Sequence, residues 1–255
     1  MLRSPNPTTT PFDNTPSHLE NMQLHCKRWG LHAALNRDAD GGTYKILYVA
    51  PRLFSQSPGV TIQSHKLRSE NWVILSGTAE IYLKSQAEHD QLFPGNVIDK
   101  EQLSATFVQH NQGSSIDIPV GHVHAFRNQS FNQWMIILEK QIPQLGTECR
   151  EDDIVRIIGP YGESVKELAE LRELSPDTLL PPPVLVQIPG KTPFMLEVTG
   201  DILQPKLVQK ECAPKETFAT LSSCSIFSNN NIPAPTPSVP SGDGTSTRTP
   251  LLNQP

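Results

Sequence analysis

Residues Gly113 to Asn128 read GSSIDIPVGHVHAFRN, and the reading of this stretch decides the fold. Pro119 and Gly121 shape a tight turn into a strand. That strand carries His124 with its ring toward the interior, and Asn128 is placed to hold the next turn. Outward from here the chain keeps the same character. FNQWMIILEKQI follows after the turn RNQS, and upstream lie TYKILYVAP, GVTIQSHKL, ENWVILSG and TAEIYLK. In TYKILYVAP, Tyr44, Ile46 and Tyr48 alternate with Lys45, Leu47 and Val49, so both faces are partly apolar. Short strands punctuated by Gly, Pro and Asn predict an antiparallel barrel or sandwich.

The opening stretch matches the second cupin motif, G-x5-P-x-G-x2-H-x3-N, at every fixed position: Gly113, Pro119, Gly121, His124 and Asn128. The first cupin motif is matched by Gly59, His65, Glu70 and Gly77, with the gap before Glu70 one residue shorter than usual. Its second histidine is replaced by Leu67, which strand alternation would point the same way as His65. The expected fold is therefore all-β: a single cupin barrel, the jelly roll or double-stranded β-helix, with a short C-terminal helix.

The resemblance sharpens at QSHKLRSENWVILSGTAEI, which is similar to a stretch of the type II mannose-6-phosphate isomerases. In that family the cupin forms the C-terminal half of a bifunctional enzyme with mannose-1-phosphate guanylyltransferase. Lys27-Arg28-Trp29-Gly30 resembles its R-P-W-G, and Glu151 to Arg156 with Tyr161-Gly162 resembles its closing E-D-D-I-V-R…Y-G. The resemblance covers Arg28 to Gly162. It implies isomerisation of a sugar phosphate between aldose and ketose, in polysaccharide or GDP-mannose synthesis, with a divalent metal, zinc first, held by His65, Glu70, His124 and the neighbouring Gln63. Arg68 is implied as the group that steadies an enediolate or phosphate, and Glu70 as a further catalytic residue. Because Leu67 stands in a ligand position, a metal-free, non-catalytic cupin that binds a sugar phosphate or nucleotide sugar, or acts as an interaction module, stays open beside this reading. His122 is a replacement ligand or a rim histidine. Trp72 and Trp134 are read as packing residues, and His25, His32, His89 and His110 as surface residues. No Gly-rich nucleotide loop is present, so nucleotidyl transfer by this chain alone is not expected.

Composition sets the frame. Of 255 residues, 24 are proline and 36% are hydrophobic, too many and too few for folding along the whole length. The prolines crowd the start, the stretch Pro176 to Pro193 and the end. The expected division is a disordered segment over 1–20, the cupin over 24–164, a helix and an extension over 165–216, and a disordered Ser/Pro/Asn-rich tail over 217–255. The helix is placed at SVKELAELREL with Ser164 as its cap, and the stretch from Lys84 to Gln112 is read as an inserted excursion with one or two strands. The net charge of −5 shows no basic stripe for nucleic acid. There is no apolar run of membrane-spanning length and no secretory pattern. Four cysteines without close pairs fit a reduced, cytoplasmic protein. The expected partner is a small sugar phosphate, with a homodimer through barrel edges.

Overall fold

In a computed structural model, residues 23–211 are described except 38–40, 146, 148, 150, 172–173, 176 and 203. The segments 1–20 and 217–255 lie outside the described residues. The strands are β1 His25–Lys27, β2 Gly30–Arg37, β3 Thr43–Val49, β4 Ile62–His65, β5 Arg68–Ser76 and β6 Thr78–Lys84. After helices α1 Gln86–Leu92 and α2 Lys100–Ala105 come β7 Val108–Asn111, β8 Ser115–Ile118, β9 Val123–Arg127, β10 Met135–Pro143 and β11 Ile154–Ile158. Helix α3 Val165–Glu170 precedes β12 Val184–Val186, β13 Phe194–Asp201 and β14 Gln204–Glu211.

These strands make the cupin jelly roll. A six-stranded sheet runs β1-β2-β3-β10-β5-β8, and a five-stranded sheet runs β11-β4-β9-β6-β7, with all pairs antiparallel. Between the sheets lies one apolar cluster, with Leu47, Val49, Ile74, Ile137 and Met135 meeting Ile81 and Phe126. On strands of the same two sheets, His65, Glu70, His124, Glu139 and Gln141 are buried polar residues, and they mark the site.

Both outer faces are covered as well. Tyr44, Ile46 and Tyr48 of β3 pack in a second cluster with Val186, Phe194, Leu196 and Val198 from the three-stranded sheet β12-β13-β14. That is why β3 is apolar on both sides. The stretch from Lys84 to Gln112 carries one strand, β7, within the expectation of an excursion with one or two strands, and adds the helices α1 and α2 ahead of it. Ser85 opens α1 with a reciprocal box to Glu88, and Asp99 caps α2 through Gln102 N–H. The local capping chemistry, S-x-x-E and D-x-x-Q, outweighs the polar, loop-like composition. Phe93 and Leu103 from this excursion then cover Ile62, Tyr82, Val123 and Ala125 on the outer face of the five-stranded sheet. Helix α3 starts at the expected cap, Ser164, and closes after Glu170 rather than Leu174.

The glycines and Asn128 of the two motifs brace the strand ends. Gly121 has φ +76° in the turn before β9, a conformation that side chains beyond glycine seldom adopt. At Gly59 a Cβ would lie 2.4 Å from the Phe126 carbonyl, so the backbones there approach too closely for a side chain. Asn128 is buried, donates from Nδ2 to the carbonyls of Val49, Ala50 and Gln133, and accepts from Ser130 N–H. Gly77 lies between β5 and β6, while Gly113 and Pro119 flank β8.

Candidate metal centre

His65 ends β4, Glu70 sits near the start of β5, and His124 lies in β9, so three strands from two sheets aim at one point. One ligand atom from each lies within 4.8 Å of the others, and all three residues are buried. His65 Nε2 is 3.0 Å from Glu70 Oε1, and His124 Nε2 is 3.6 Å from Glu70 Oε2. Gln63 Nε2 stands 3.5 Å from His65 Nε2, while its carbonyl oxygen accepts from Thr61 Oγ1. Gln63 is thus beside the cluster and half-buried.

The charges are set by burial and by each other. Burial pushes the Glu70 carboxyl up, but the His65 hydrogen bond and the charges of His124, His65 and Arg68 outweigh it and hold it down at about 2. Burial favours the neutral ring and pushes His124 below its ordinary value, against the opposing pull of the Glu70 charge. His124 Nδ1–H donates to the His122 carbonyl at 2.9 Å. Its Nε2 then carries a lone pair, and that atom is buried with no hydrogen-bond partner. A buried acceptor without a partner costs free energy. A cation at the point where Glu70, His65 and His124 meet would use it. Nitrogen and carboxylate donors of this kind suit zinc and similar divalent ions, so the residues fit such a group.

Two further carboxylates join the site. Asp153, in the turn before β11, lies with Oδ1 3.3 Å from His65 Nδ1 and 2.9 Å from Arg68 Nη1. Glu139 on β10 accepts from Gln141 Nε2 at 2.7 Å, and the same amide reaches Glu70 Oε1 at 3.4 Å. Lys45 Nζ is 4.0 Å from Glu139. Burial first, and the Glu70 charge second, push the Glu139 carboxyl up to about 7.

Several sequence expectations change in place. Leu67 does not share a face with His65. Lys66 and Leu67 form a bend between β4 and β5, alternation is lost there, and Leu67 is 39% exposed with its carbonyl accepting from Gln144 N–H. The hydrocarbon therefore does not block the centre. Arg68 is buried and bonded to Glu70 at 3.3 Å and to Asp153, so in this geometry its guanidinium braces two carboxylates. His122 stays out of the cluster and gives it only a backbone carbonyl. His89 is not on the surface: it is fully buried, with Nδ1 2.7 Å from Tyr82 Oη. His32 and His110 are half-buried, and His25 is exposed. Trp72 packs edge-on against His124 and donates to Glu70 Oε2 at 3.2 Å, and Trp134 donates to the Leu179 carbonyl. Asp153 and Glu139 were missed as site residues. The signals were present: Asp153 lies inside EDDIVR, and Glu139 and Gln141 alternate on the inward face of MIILEKQI.

A jelly-roll barrel with His, Glu and His converging between its sheets defines a cupin domain. It resembles the C-terminal domain of the type II mannose-6-phosphate isomerases and mannose-1-phosphate guanylyltransferases. The chain is 25% identical over 153 residues to a mannose-1-phosphate guanylyltransferase of Salmonella montevideo, a match covering 60% of this chain and 26% of that protein. To the alginate biosynthesis protein AlgA of Pseudomonas fluorescens it is 29% identical over 147 residues, 56% of this chain and 24% of the other. A mannose-1-phosphate guanylyltransferase of Sinorhizobium fredii is 30% identical over 151 residues, with 57% and 24% covered. The chain thus spans about a quarter of the length of these relatives. No family model matches. Among solved structures, the capsular polysaccharide assembling protein CapF from Staphylococcus aureus aligns over 53% of this chain and 34% of its own, with 14% identity and TM-score 0.38. The cupin domain of Schizosaccharomyces pombe Cnp3 aligns over 49% and 70%, with 10% identity and TM-score 0.34.

Proposed function

We propose that this cupin binds a divalent metal, zinc first, through His65, Glu70 and His124, and acts on a sugar phosphate as a mannose-6-phosphate isomerase-like enzyme. The observation that carries the reading is the orphaned His124 Nε2, buried beside an ionised Glu70 and a second histidine. The similarity to sugar-nucleotide and alginate proteins supports the substrate class. Gln63, expected as a fourth ligand, turns its amide nitrogen toward His65 and its oxygen to Thr61, so it would have to rotate its amide to reach a metal.

A metal in such a place supplies an electrophile for a carbonyl or hydroxyl oxygen. The remaining work is that of the chain's own groups. Aldose–ketose exchange must take a proton from one carbon and return it to its neighbour. A carboxyl with its midpoint near neutrality can do both, and Glu139, pushed up to about 7, is the group in the site with that property. Glu70 and Glu139 form a pair whose surroundings drive them apart, one ionised and one poised to exchange. Gln141 bridges them and fixes their spacing. Lys45 beside Glu139 favours its charged form.

A second reading is favoured by one feature. Both oxygens of Glu70 already have partners: His65, Arg68 and Gln141 on Oε1, Trp72 on Oε2. A cation must compete with this network, and a cupin that binds a sugar phosphate without turning it over would keep it. The two readings separate in a direct assay of mannose 6-phosphate and fructose 6-phosphate interconversion by the purified chain with zinc, cobalt or manganese added. Turnover that is lost on chelation and in Glu139→Gln supports the enzyme. Saturable binding of mannose 6-phosphate without interconversion under any metal supports the binding protein.

A further inference from the structure

His65 is held from both sides, by Glu70 at Nε2 and by Asp153 at Nδ1, and the second contact comes from a segment 88 residues away. A histidine ring offers its two nitrogens to different partners, and the bond at one decides what the other can do. Asp153 is buried, its Oδ1 receives both His65 Nδ1 and Arg68 Nη1, and its backbone carbonyl accepts from Lys66 N–H at 3.3 Å. Its other oxygen, Oδ2, is buried without a partner, so nothing competes at the far side for this carboxylate. The turn Glu151–Asp153 runs straight into β11, whose first residue, Ile154, pairs with His65 in the ladder. The ladder therefore delivers Asp153 to the edge of the His65 ring.

We propose that Asp153 is the positioning residue of the centre: it holds a proton of His65 on Nδ1, so that Nε2, which donates to Glu70 in the metal-free protein, is the nitrogen that can give up its proton and serve as the ligand atom beside Glu70 and His124. Arg68 balances the charge of Asp153 while bonding Glu70, so the one guanidinium ties the positioning carboxylate to the ligand carboxylate. Two imidazoles then present Nε2 to the same point for the same reason, His124 through the His122 carbonyl and His65 through Asp153. Carboxylate partners behind ligand histidines are worth about 10- to 100-fold in metal affinity. The docking of β11 on β4 becomes a condition of metal binding, although no residue of β11 reaches the metal point itself.

The inference rests on the proposed metal centre for its consequence but not for its first test, which uses the metal-free protein. Nitrogen-15 NMR of the imidazole rings, with His65 assigned by His65→Gln, reads which nitrogen is protonated. In wild type, Nδ1 of His65 carries a proton, and in Asp153→Ala that proton is lost from Nδ1. An unprotonated Nδ1 in wild type, or a spectrum unchanged in Asp153→Ala, overturns the proposal. Asp153→Asn keeps an acceptor oxygen and the side-chain shape, and it is expected to retain the Nδ1 proton. That rescue separates positioning from a general loss of packing. In competition with a chelator, zinc affinity falls about 10- to 100-fold in Asp153→Ala and less in Asp153→Asn. Equal zinc affinity in wild type and Asp153→Ala also overturns it. A wild type that binds no zinc while showing the protonated Nδ1 sinks the metal reading and leaves the positioning contact standing.

Discussion

Glu139 and Glu70 are set on adjacent strands, with Gln141 directly across the ladder from Glu70 and donating to both carboxylates. They pull the pH dependence of stability in opposite directions. Glu139 is raised in the fold from its ordinary 4.5 to about 7, so it keeps a proton that the unfolded chain has released. Its contribution is complete below the ordinary value and is lost as pH rises through 7. Glu70 is lowered to about 2, so its contribution holds above 4.5 and is lost as pH falls toward 2. Thermal melts should therefore show the melting temperature falling as pH rises from 4.5 to about 7 and levelling above that, and Glu139→Gln should abolish that fall while leaving the acid side unchanged. A wild-type melting temperature that does not fall between pH 4.5 and about 7 would contradict this account of Glu139. His65, Glu70 and His124 are legible in the sequence because two motifs with fixed spacing carry them. Asp153 and Glu139 stand in readable patterns, EDDIVR and the alternation of MIILEKQI, but their place in the site is not legible there: Asp153 meets His65 88 residues away through strand pairing, and Glu139 joins through Gln141 and the strand beside Glu70. Leu67 misleads for the opposite reason: alternation is a rule for strands, and the chain bends at Lys66 and Leu67.

At the scale of elements, the excursion between β6 and β7 is held by a buried polar pair. His89 on α1 and Tyr82 on β6, both buried, meet at 2.7 Å, and Asn96 Oδ1 lies 3.4 Å from the other ring nitrogen. His89→Ala leaves the Tyr82 hydroxyl buried and unsatisfied, at a cost of about 1–3 kcal/mol, whereas Tyr82→Phe with His89→Ala removes both partners and should recover part of it. Urea unfolding of the single and double variants measures the difference; equal stabilities for wild type and His89→Ala would contradict the pairing. The strands of the barrel are legible from alternation and turn residues. The helices α1 and α2 are less so: each is short, polar on most sides and anchored by few apolar residues, chiefly Phe93 and Leu103, so the hydrophobic period is faint. Their caps were the readable sign.

Over the described residues, the barrel is the middle layer of three. The excursion covers one outer face and the β12-β13-β14 sheet covers the other, so strands of the six-stranded sheet are apolar on both sides. Leu196 is fully buried in that outer cluster, and Leu196→Ala should cost about 2–5 kcal/mol in chemical denaturation. A cost well under 1 kcal/mol would mean that the β12-β13-β14 sheet does not share the barrel's core. Sequence alternation marked these last strands but not their place, because a partner sheet can be recognised only once the face it covers is known. Among the described residues no helix is long and apolar enough to cross a membrane.

A metal held at the meeting point of three strands is the central feature of the proposed chemistry. Elemental analysis of the purified chain, compared between wild type, His124→Ala and Leu67→His, tests it most directly. The prediction is about one divalent ion per wild-type chain, its loss in His124→Ala, and no change in Leu67→His, since Leu67 faces outward. A wild type without metal that gains one in Leu67→His would contradict both the intact centre and the outward placement of Leu67.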